Sequence, residues 1–198
     1  RGAALVAALR ARGGEVSDVD EKEFRSAAET ESPQGVLAIA RVPGRSLDSL
    51  SGRSPLRLLV LDAVQDPGNV GTLIRTAAAL GVNATVALPG TVDVWNAKVV
   101  RSAMGAHFHH DAFPAAWDDL QAFLQREGIP LWAADLQGAP LPDTAPARLA
   151  LAVGNEGSGL TPQVREAAAR LISLPVAPVV ESLNVAVAAG ILLYELRP

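Results

Sequence analysis

From Leu56 onward the chain alternates short apolar runs with amphipathic segments, and the runs end in loops rich in Gly, Pro, Asn and Ser. That alternation leaves few folds open. A run such as Leu58-Leu59-Val60-Leu61 has no polar residue between apolar ones, as expected of a strand covered on both faces. Strands separated by helices pair in parallel, because a hairpin cannot join them, and their helices then cover both faces of one sheet. The spacing predicts strands at 57–64, 84–88, 131–134, 149–153 and 171–174, with Phe108 in or near another. It predicts helices at 69–80, 94–104, 115–126, 162–170 and 182–196. The expected class is α/β with a mostly parallel sheet, and such sheets bind ligands outside the carboxyl ends of their strands.

The residues before Leu56 follow a different pattern. A helix is expected over 3–12, stopped by Gly13-Gly14, then a short strand at 15–19. Asp20 can cap a helix running to Ala28, with Glu23 placed as in a capping box. Residues 35–42 (GVLAIARV) suit a buried strand, and 43–55 (PGRSLDSLSGRSP) a linker. The expected organisation is therefore a small domain at 1–42, a linker at 43–55 and a main domain at 56–198. The chain opens on Arg1 rather than a methionine, so further residues are expected upstream.

Composition closes several classes. With no cysteine there is neither a disulfide framework nor a thiolate zinc site, and no metal is expected. No apolar run approaches the roughly 20 residues of a membrane span, and no signal peptide is evident, so a cytoplasmic protein with no membrane partner is expected. The net charge of −4 does not mark a nucleic-acid binder. Its distribution is uneven: residues 1–57 carry nine basic and eight acidic side chains, the remainder eight and thirteen. Arg41, Arg45, Arg53 and Arg57 bracket the linker, as a phosphate-contacting edge or as ordinary solvated surface.

Three loops at strand ends carry the chemistry. In the first, DAVQDPGNVGTLIR (62–75), Gly68 and Gly71 permit a tight turn and close approach to a ligand, and Asn69 can cap the helix that follows. Asn69 and Arg75 are about 240° apart on an ideal helix, so they converge only if Asn69 precedes the helix proper. The second, GNEGSGL (154–160), follows a buried strand, and its glycines suit a nucleotide or cofactor. It is no P-loop, since no Gly-Lys-Ser/Thr follows. A dinucleotide fold is disfavoured too: Glu181 follows Pro175 and Pro178 instead of closing a strand, and the tail is too short to complete the sheet. In the third loop Ser182 can cap the last helix, with Asn184 in its first turn. His107, His109 and His110 fall outside these loops and read as structural.

Taken in order, N-x-G-x-x-x-R, G-N-E-G-x-G-L and L-P followed by S-L-N-V resemble the three motifs of the SpoU/TrmH (SPOUT) RNA methyltransferases. Arg101-Ser-Ala-Met-Gly-Ala106 resembles a further recurring segment of that family. The likeness covers about 56–198. More weakly, 1–42 resembles the back half of the L30-like substrate-binding domain that many members carry.

The resemblance implies a C-terminal trefoil knot, S-adenosylmethionine as cofactor, and methyl transfer to a ribose 2′-hydroxyl of RNA. Ribosomal RNA is preferred; transfer RNA, or a catalytically silent RNA-binding relative, is the alternative. Gly154, Leu174, Val176 and Leu183 would hold the cofactor. Arg75 would sit by the hydroxyl, either as base or as a charged orienter, with Asn69, Glu156, Ser182 and Asn184 as further catalytic-site residues. It also implies a homodimer through the knot, which suits the last helix (185–196), apolar almost all round. Many relatives have a second serine where this chain has Ala186, a difference expected to tune activity.

Overall fold

The computed structural model describes residues 2–28, 33, 35–177 and 179–197. They divide into two units, Arg1–Pro43 and Gly44–Pro198.

In the smaller unit, α1 (Gly2–Ala11) and α2 (Glu21–Ala27) form where the spacing places them. Asp20 caps α2 through its side chain, which accepts from Glu23 N at 2.8 Å. The two strands expected here do not form. Residues 15–19 and 35–42 have no strand partner among the described residues, and Ile39 is 94% exposed. An apolar extended run with nothing to pair against gains no ladder.

The larger unit builds one six-stranded sheet from β1 (Leu56–Leu61), β2 (Ala84–Ala87), β3 (Asp111–Pro114), β4 (Leu131–Pro140), β5 (Arg148–Val153) and β6 (Arg170–Ser173). Its order is β3-β2-β1-β5-β4-β6, with every pairing parallel. Helices α3 (Pro67–Ala79), α4 (Ala97–Ser102) and α7 (Val185–Glu195) cover one face, where Leu59 and Leu61 point. The opposite face, which receives Leu56, Leu58 and Val60, is covered by α5 (Trp117–Glu127) and α6 (Pro162–Ala167). The period of two along a strand thus sends one unbroken apolar run into two cores.

Several sequence expectations are corrected. Residues 44–55 are not a free linker. A 3-10 turn at Leu47–Leu50 buries both leucines against α5, and burying a leucine is worth about 1.5–3 kcal/mol, enough to hold the turn down. Glu127 adds a latch, accepting from Ser51 Oγ (2.9 Å), Gly52 N (3.1 Å) and Arg148 Nη2 (2.7 Å). Helix α4 starts late because Asn96 caps it, accepting from Lys98 N at 2.9 Å. Phe108 lies in a second 3-10 turn, Ala106–Phe108, rather than in a strand. Helix α6 ends at Ala167 and Arg170 already pairs in β6, while α7 begins only at Val185. No helix among the described residues is long and apolar enough to cross a membrane.

Candidate functional site

The sheet order reverses between β1 and β5, where Leu61 lies in register with Val153. A crevice opens at the carboxyl ends of strands at such a switch point, and the first two loops leave the sheet there. The third loop leaves β6, two strands further along.

Each loop is held by its own backbone chemistry. The cap of α3 is Asp66, whose Oδ1 accepts from Asn69 N at 2.7 Å; Asn69 is inside the helix and does not cap it. In the second loop Asn155 Oδ1 accepts from Gly157 N (2.9 Å) and Ser158 N (3.0 Å), while its Nδ2 donates to Ala63 O (2.8 Å). Gly154 is required because a Cβ there would stand 2.4 Å from the carbonyl carbon of Gly159. The far end of this loop is tied to the first by Asp62, 1% exposed, which accepts from Thr161 N at 2.6 Å and Thr161 Oγ1 at 3.1 Å. In the third loop the cap of α7 is Asn184, not Ser182: its Oδ1 accepts from Ala186 N (2.9 Å) and Val187 N (3.3 Å). Pro178 lies outside the described residues.

A directed chain of hydrogen bonds joins all three loops. Asn184 Nδ2 donates to Asn69 Oδ1 at 2.9 Å, and Asn69 Nδ2 donates to Glu156 Oε1 at 3.0 Å. Glu156 also accepts from Gln65 N and Asp66 N, each at 3.3 Å. An ionised carboxylate only accepts, so Asn69 must turn its nitrogen toward Glu156 and its oxygen toward Asn184. Asn184 must then present its nitrogen to Asn69 and its oxygen to the free N–H groups of α7, so each amide orientation follows from its neighbours. Partial burial pushes the Glu156 carboxyl up, but the bonds from Asn69, its own amide, Gln65 and Asp66 outweigh it, and the net shift is below the usual carboxylate range.

The chain borders two hollows. One, about 730 Å³, is lined by Gly154, Leu174, Val176 and Leu183 together with Glu156, Ser182 and Asn184. Its volume is that of a small-molecule site, and its polar groups converge beside apolar side chains. The other, a groove of about 600 Å³ between α3 and α7, is lined by Asn69, Thr72, Thr76, Asn184, Ile191 and Tyr194. All four residues expected to hold the cofactor therefore meet in one cavity, and Asn69, Glu156 and Asn184 join at its edge. Ser182 lines the cavity but caps nothing. Arg75 is exposed on α3 and lines neither hollow. With Asn69 inside the helix, the condition for Asn69 and Arg75 to converge within one chain fails.

Sequence reasoning missed three structural contributors: Asp62, Asn155 and Thr161. Asn155 carried a legible signal, since Asn before a glycine run commonly folds its side chain back on amides two residues on. It also misjudged Gly71, which serves helix packing, because a Cβ there would lie 2.4 Å from Ser102 Cβ and 2.6 Å from Val99 O of α4. The histidines lie away from the loops. His107 Nε2 is 2.8 Å from Val94 O, and His110 Nε2 is 2.8 Å from Thr85 Oγ1. Burial pushes the His110 imidazole down to about 4, against the smaller opposing pull of Asp111. Among the described residues no three His, Cys, Asp or Glu side chains gather to hold a metal ion.

Residues 57–194 match the family model described as the SpoU rRNA Methylase family. The 23S rRNA (guanosine(2553)-2′-O)-methyltransferase of Bacillus subtilis is 41% identical over 185 residues, covering 90% of this chain and 71% of the relative. The mitochondrial rRNA methyltransferase 3A of Danio rerio is 33% identical over 84% of this chain, which spans 50% of that protein. Among solved structures, the AdoMet-bound rRNA methyltransferase from Sinorhizobium meliloti superposes with a TM-score of 0.87 at 32% identity, over 96% of this chain and 74% of that one.

Proposed function

Because this chain belongs to the SpoU rRNA methylase family, we propose that it methylates a ribose 2′-hydroxyl of ribosomal RNA with S-adenosylmethionine as the methyl donor. The observation that carries the reading is the meeting of Gly154, Leu174, Val176 and Leu183 in one cavity at the carboxyl edge of the sheet, beside the Glu156–Asn69–Asn184 chain.

The cavity fits the cofactor. Leu174, Val176 and Leu183 supply apolar contact for an adenosine. Asp135, Glu156 and Glu181 outnumber Arg165 among the charged side chains of the lining, which suits a cofactor that carries positive charge on sulfur and on its amino group. When bound, the cofactor supplies an electrophilic methyl group whose leaving group is already in place. The protein then has to hold the sugar hydroxyl in line and stabilise the charge that develops on its oxygen.

Arg75 is the residue for that charge. A guanidinium stays protonated, so it acts as a fork of fixed donors rather than as a base. Its position outside the cavity is accounted for if each site is completed by a second copy. Val187, Ile191 and Tyr194 are 52%, 41% and 48% exposed along α7, an apolar surface beside the groove that a homodimer covers. The knot belongs to this reading: the segment after the edge strand β6 passes back to α7, which packs on α3, the helix that follows the central strand β1. The smaller unit serves as part of an L30-like RNA-binding domain, supported by the Sinorhizobium superposition, which extends over 96% of this chain. A cytoplasmic location belongs to the same proposal.

The test is calorimetric titration with S-adenosylmethionine, followed by transfer of labelled methyl to unmodified ribosomal and transfer RNA and digestion to nucleosides. Binding and 2′-O-methylated nucleosides from ribosomal RNA are expected. Arg75→Lys should bind the cofactor as the parent does and lose about a hundredfold in kcat, since a point charge cannot reproduce the fork. Absence of cofactor binding overturns the function; a Lys variant with parental turnover overturns the role of Arg75.

A further inference from the structure

Beyond Arg57 the chain carries thirteen acidic and eight basic side chains, so unengaged cations stand out there. Arg126, Arg148 and Arg165 form ion pairs, and Arg170 and Arg197 lie over the rings of Trp132 and Tyr194. The three that remain are Arg75, Lys98 and Arg101. All are exposed, and none is in an ion pair or over a ring among the described residues. They are not scattered. Gly68, Gly71 and Arg75 fall on one stripe of α3, at spacings of three and four residues. That stripe faces α4, because Ser102 Oγ donates to Gly68 O at 2.9 Å and Gly71 packs against Ser102 and Val99 O. On α4, Lys98 lies four residues before Ser102, and Arg101 lies three residues after Lys98. The three cations therefore sit on two helices in direct contact, and the α3–α4 seam between them begins beside the turn that holds Asn69.

The segment after α4 adds two apolar side chains to the end of this seam. Met104 is 73% exposed and Phe108 84% exposed, and they flank Gly105. A Cβ on Gly105 would lie 3.9 Å from Phe108 Cδ2, so the ring folds over that glycine. Nothing about folding calls for two large apolar groups in water here. Met104 also has a φ of +51°, in the left-handed region that favours glycine. Strain of this kind persists only where neighbours hold it. His107, between the two in sequence and buried, anchors this segment, with Nε2 2.8 Å from Val94 O and its ring 4.8 Å from that of Trp95.

We propose that Met104 and Phe108 form a stacking platform for an unpaired base of the RNA substrate, with Lys98 and Arg101 holding the phosphates that lead from it toward Arg75. This deepens the reading above and rests on it. Bases of single-stranded RNA stack on exposed aromatic and apolar side chains while cations follow the backbone, and that pairing is what the seam presents. Isolated cations would bind any anion. An isolated aromatic would suit any apolar partner. Together, beside the Asn69 turn, they select a single strand of nucleic acid.

The experiment uses the full chain with a fluorescein-labelled single-stranded RNA of mixed sequence and, separately, with unmodified ribosomal RNA. Phe108→Ala is expected to weaken RNA binding and raise KM for RNA about tenfold, with S-adenosylmethionine affinity and melting temperature unchanged. Phe108→Trp should restore RNA binding, which a merely structural role for the side chain would not predict. Lys98→Ala with Arg101→Ala should flatten the dependence of log affinity on log salt by about 1.4, two phosphate contacts at about 0.7 each. If the parent methylates RNA and these variants match it in affinity, KM and salt slope, the platform is wrong and the function stands. A parent that binds no RNA overturns both.

Discussion

The directed hydrogen-bond chain makes a prediction that most caps would not. Asn184→Asp keeps the oxygen that accepts from Ala186 N and Val187 N, and a carboxylate at a helix N-terminus is at least as good a cap as an amide. Capping alone therefore predicts a neutral or slightly stabilising change. The chain predicts the opposite. The substitution removes the donor to Asn69 Oδ1 and sets two acceptor oxygens against each other where Nδ2 and Oδ1 now stand 2.9 Å apart. Turning Asn69 over relieves that clash only by pointing its oxygen at Glu156, 3.0 Å from its present nitrogen. Losing one such bond costs about 1 kcal/mol, and the opposed oxygens add a fraction that solvent limits, because Asn184 is exposed. A net loss of about 1–2 kcal/mol lowers the melting temperature of a chain this size by about 3–6 °C. Glu156→Gln supplies the discriminating partner: its amide can donate to an overturned Asn69, whose nitrogen then serves the new carboxylate. The rescue is partial, because one of Gln65 N and Asp66 N loses its acceptor. Thermal and urea melts of the parent, both single variants and the double variant should show a coupling of about 1 kcal/mol in favour of the double. Strict additivity, or a stabilising Asn184→Asp, would refute the directed chain.

Two further perturbations test the site and its frame. Gly154→Ala forces a Cβ to within 2.4 Å of the Gly159 carbonyl carbon, so the second loop must open; S-adenosylmethionine affinity should fall by at least about tenfold, beyond what any loss in melting temperature explains, and parental affinity by calorimetry would mean the loop does not shape the cavity. Glu127 is held down to about 2, first by the Arg148 hydrogen bond and then by Gly52 N and Ser51 Oγ. A depressed carboxylate contributes stability above its unfolded value, about 4.3, and that contribution disappears as pH falls toward 2. Glu127→Gln should therefore be less stable than the parent at pH 7, with the gap closing in acid; a gap that is the same at pH 7 and pH 2.5 in urea melts would show that the latch does not depend on charge.

What the sequence made legible was whatever depended on local pattern. Leu58-Leu59-Val60-Leu61 had no other use than a strand buried on both sides, and the strand–helix alternation then left one arrangement of layers. The residues expected to hold the cofactor meet in one cavity in part because Gly154 directly follows β5 and Leu174 directly follows β6, so the strand ends place them. The failures came where a residue's partner lies far along the chain. Asn69 and Asn184 each looked like a cap, or a neighbour of one, by the same local rule. Only the meeting of loops 115 residues apart separates them: Asn184 caps α7 with its oxygen, while Asn69 passes the hydrogen bond on to Glu156. Residues 44–55 failed for the same reason, because a Pro/Gly/Ser composition describes the backbone and not the two leucines that α5 receives. Residues 35–42 failed in reverse, with strand composition but no strand to join among the described residues.

Glycine shows how the two kinds of information combine. Gly71 and Gly154 were both singled out because a loop near a ligand needs room, and both positions do forbid a side chain. Yet what fills the space is protein in each case: Ser102 and Val99 beside Gly71, and the turn at Gly159 beside Gly154. The consequence for function is indirect and stronger. A glycine that only cleared space for a ligand could tolerate alanine at the cost of some affinity. A glycine that lets a loop close on itself sets the positions of Glu156 and Asn155, and through Glu156 those of Asn69 and Asn184. Gly71→Ala and Gly154→Ala should therefore differ in kind. The first moves α4, with Lys98 and Arg101, away from α3 and should weaken RNA binding while leaving cofactor affinity intact. The second should weaken the cofactor first. Equal effects of both substitutions on both ligands would show that seam and cavity are one rigid unit, and would remove the reason for assigning them different partners.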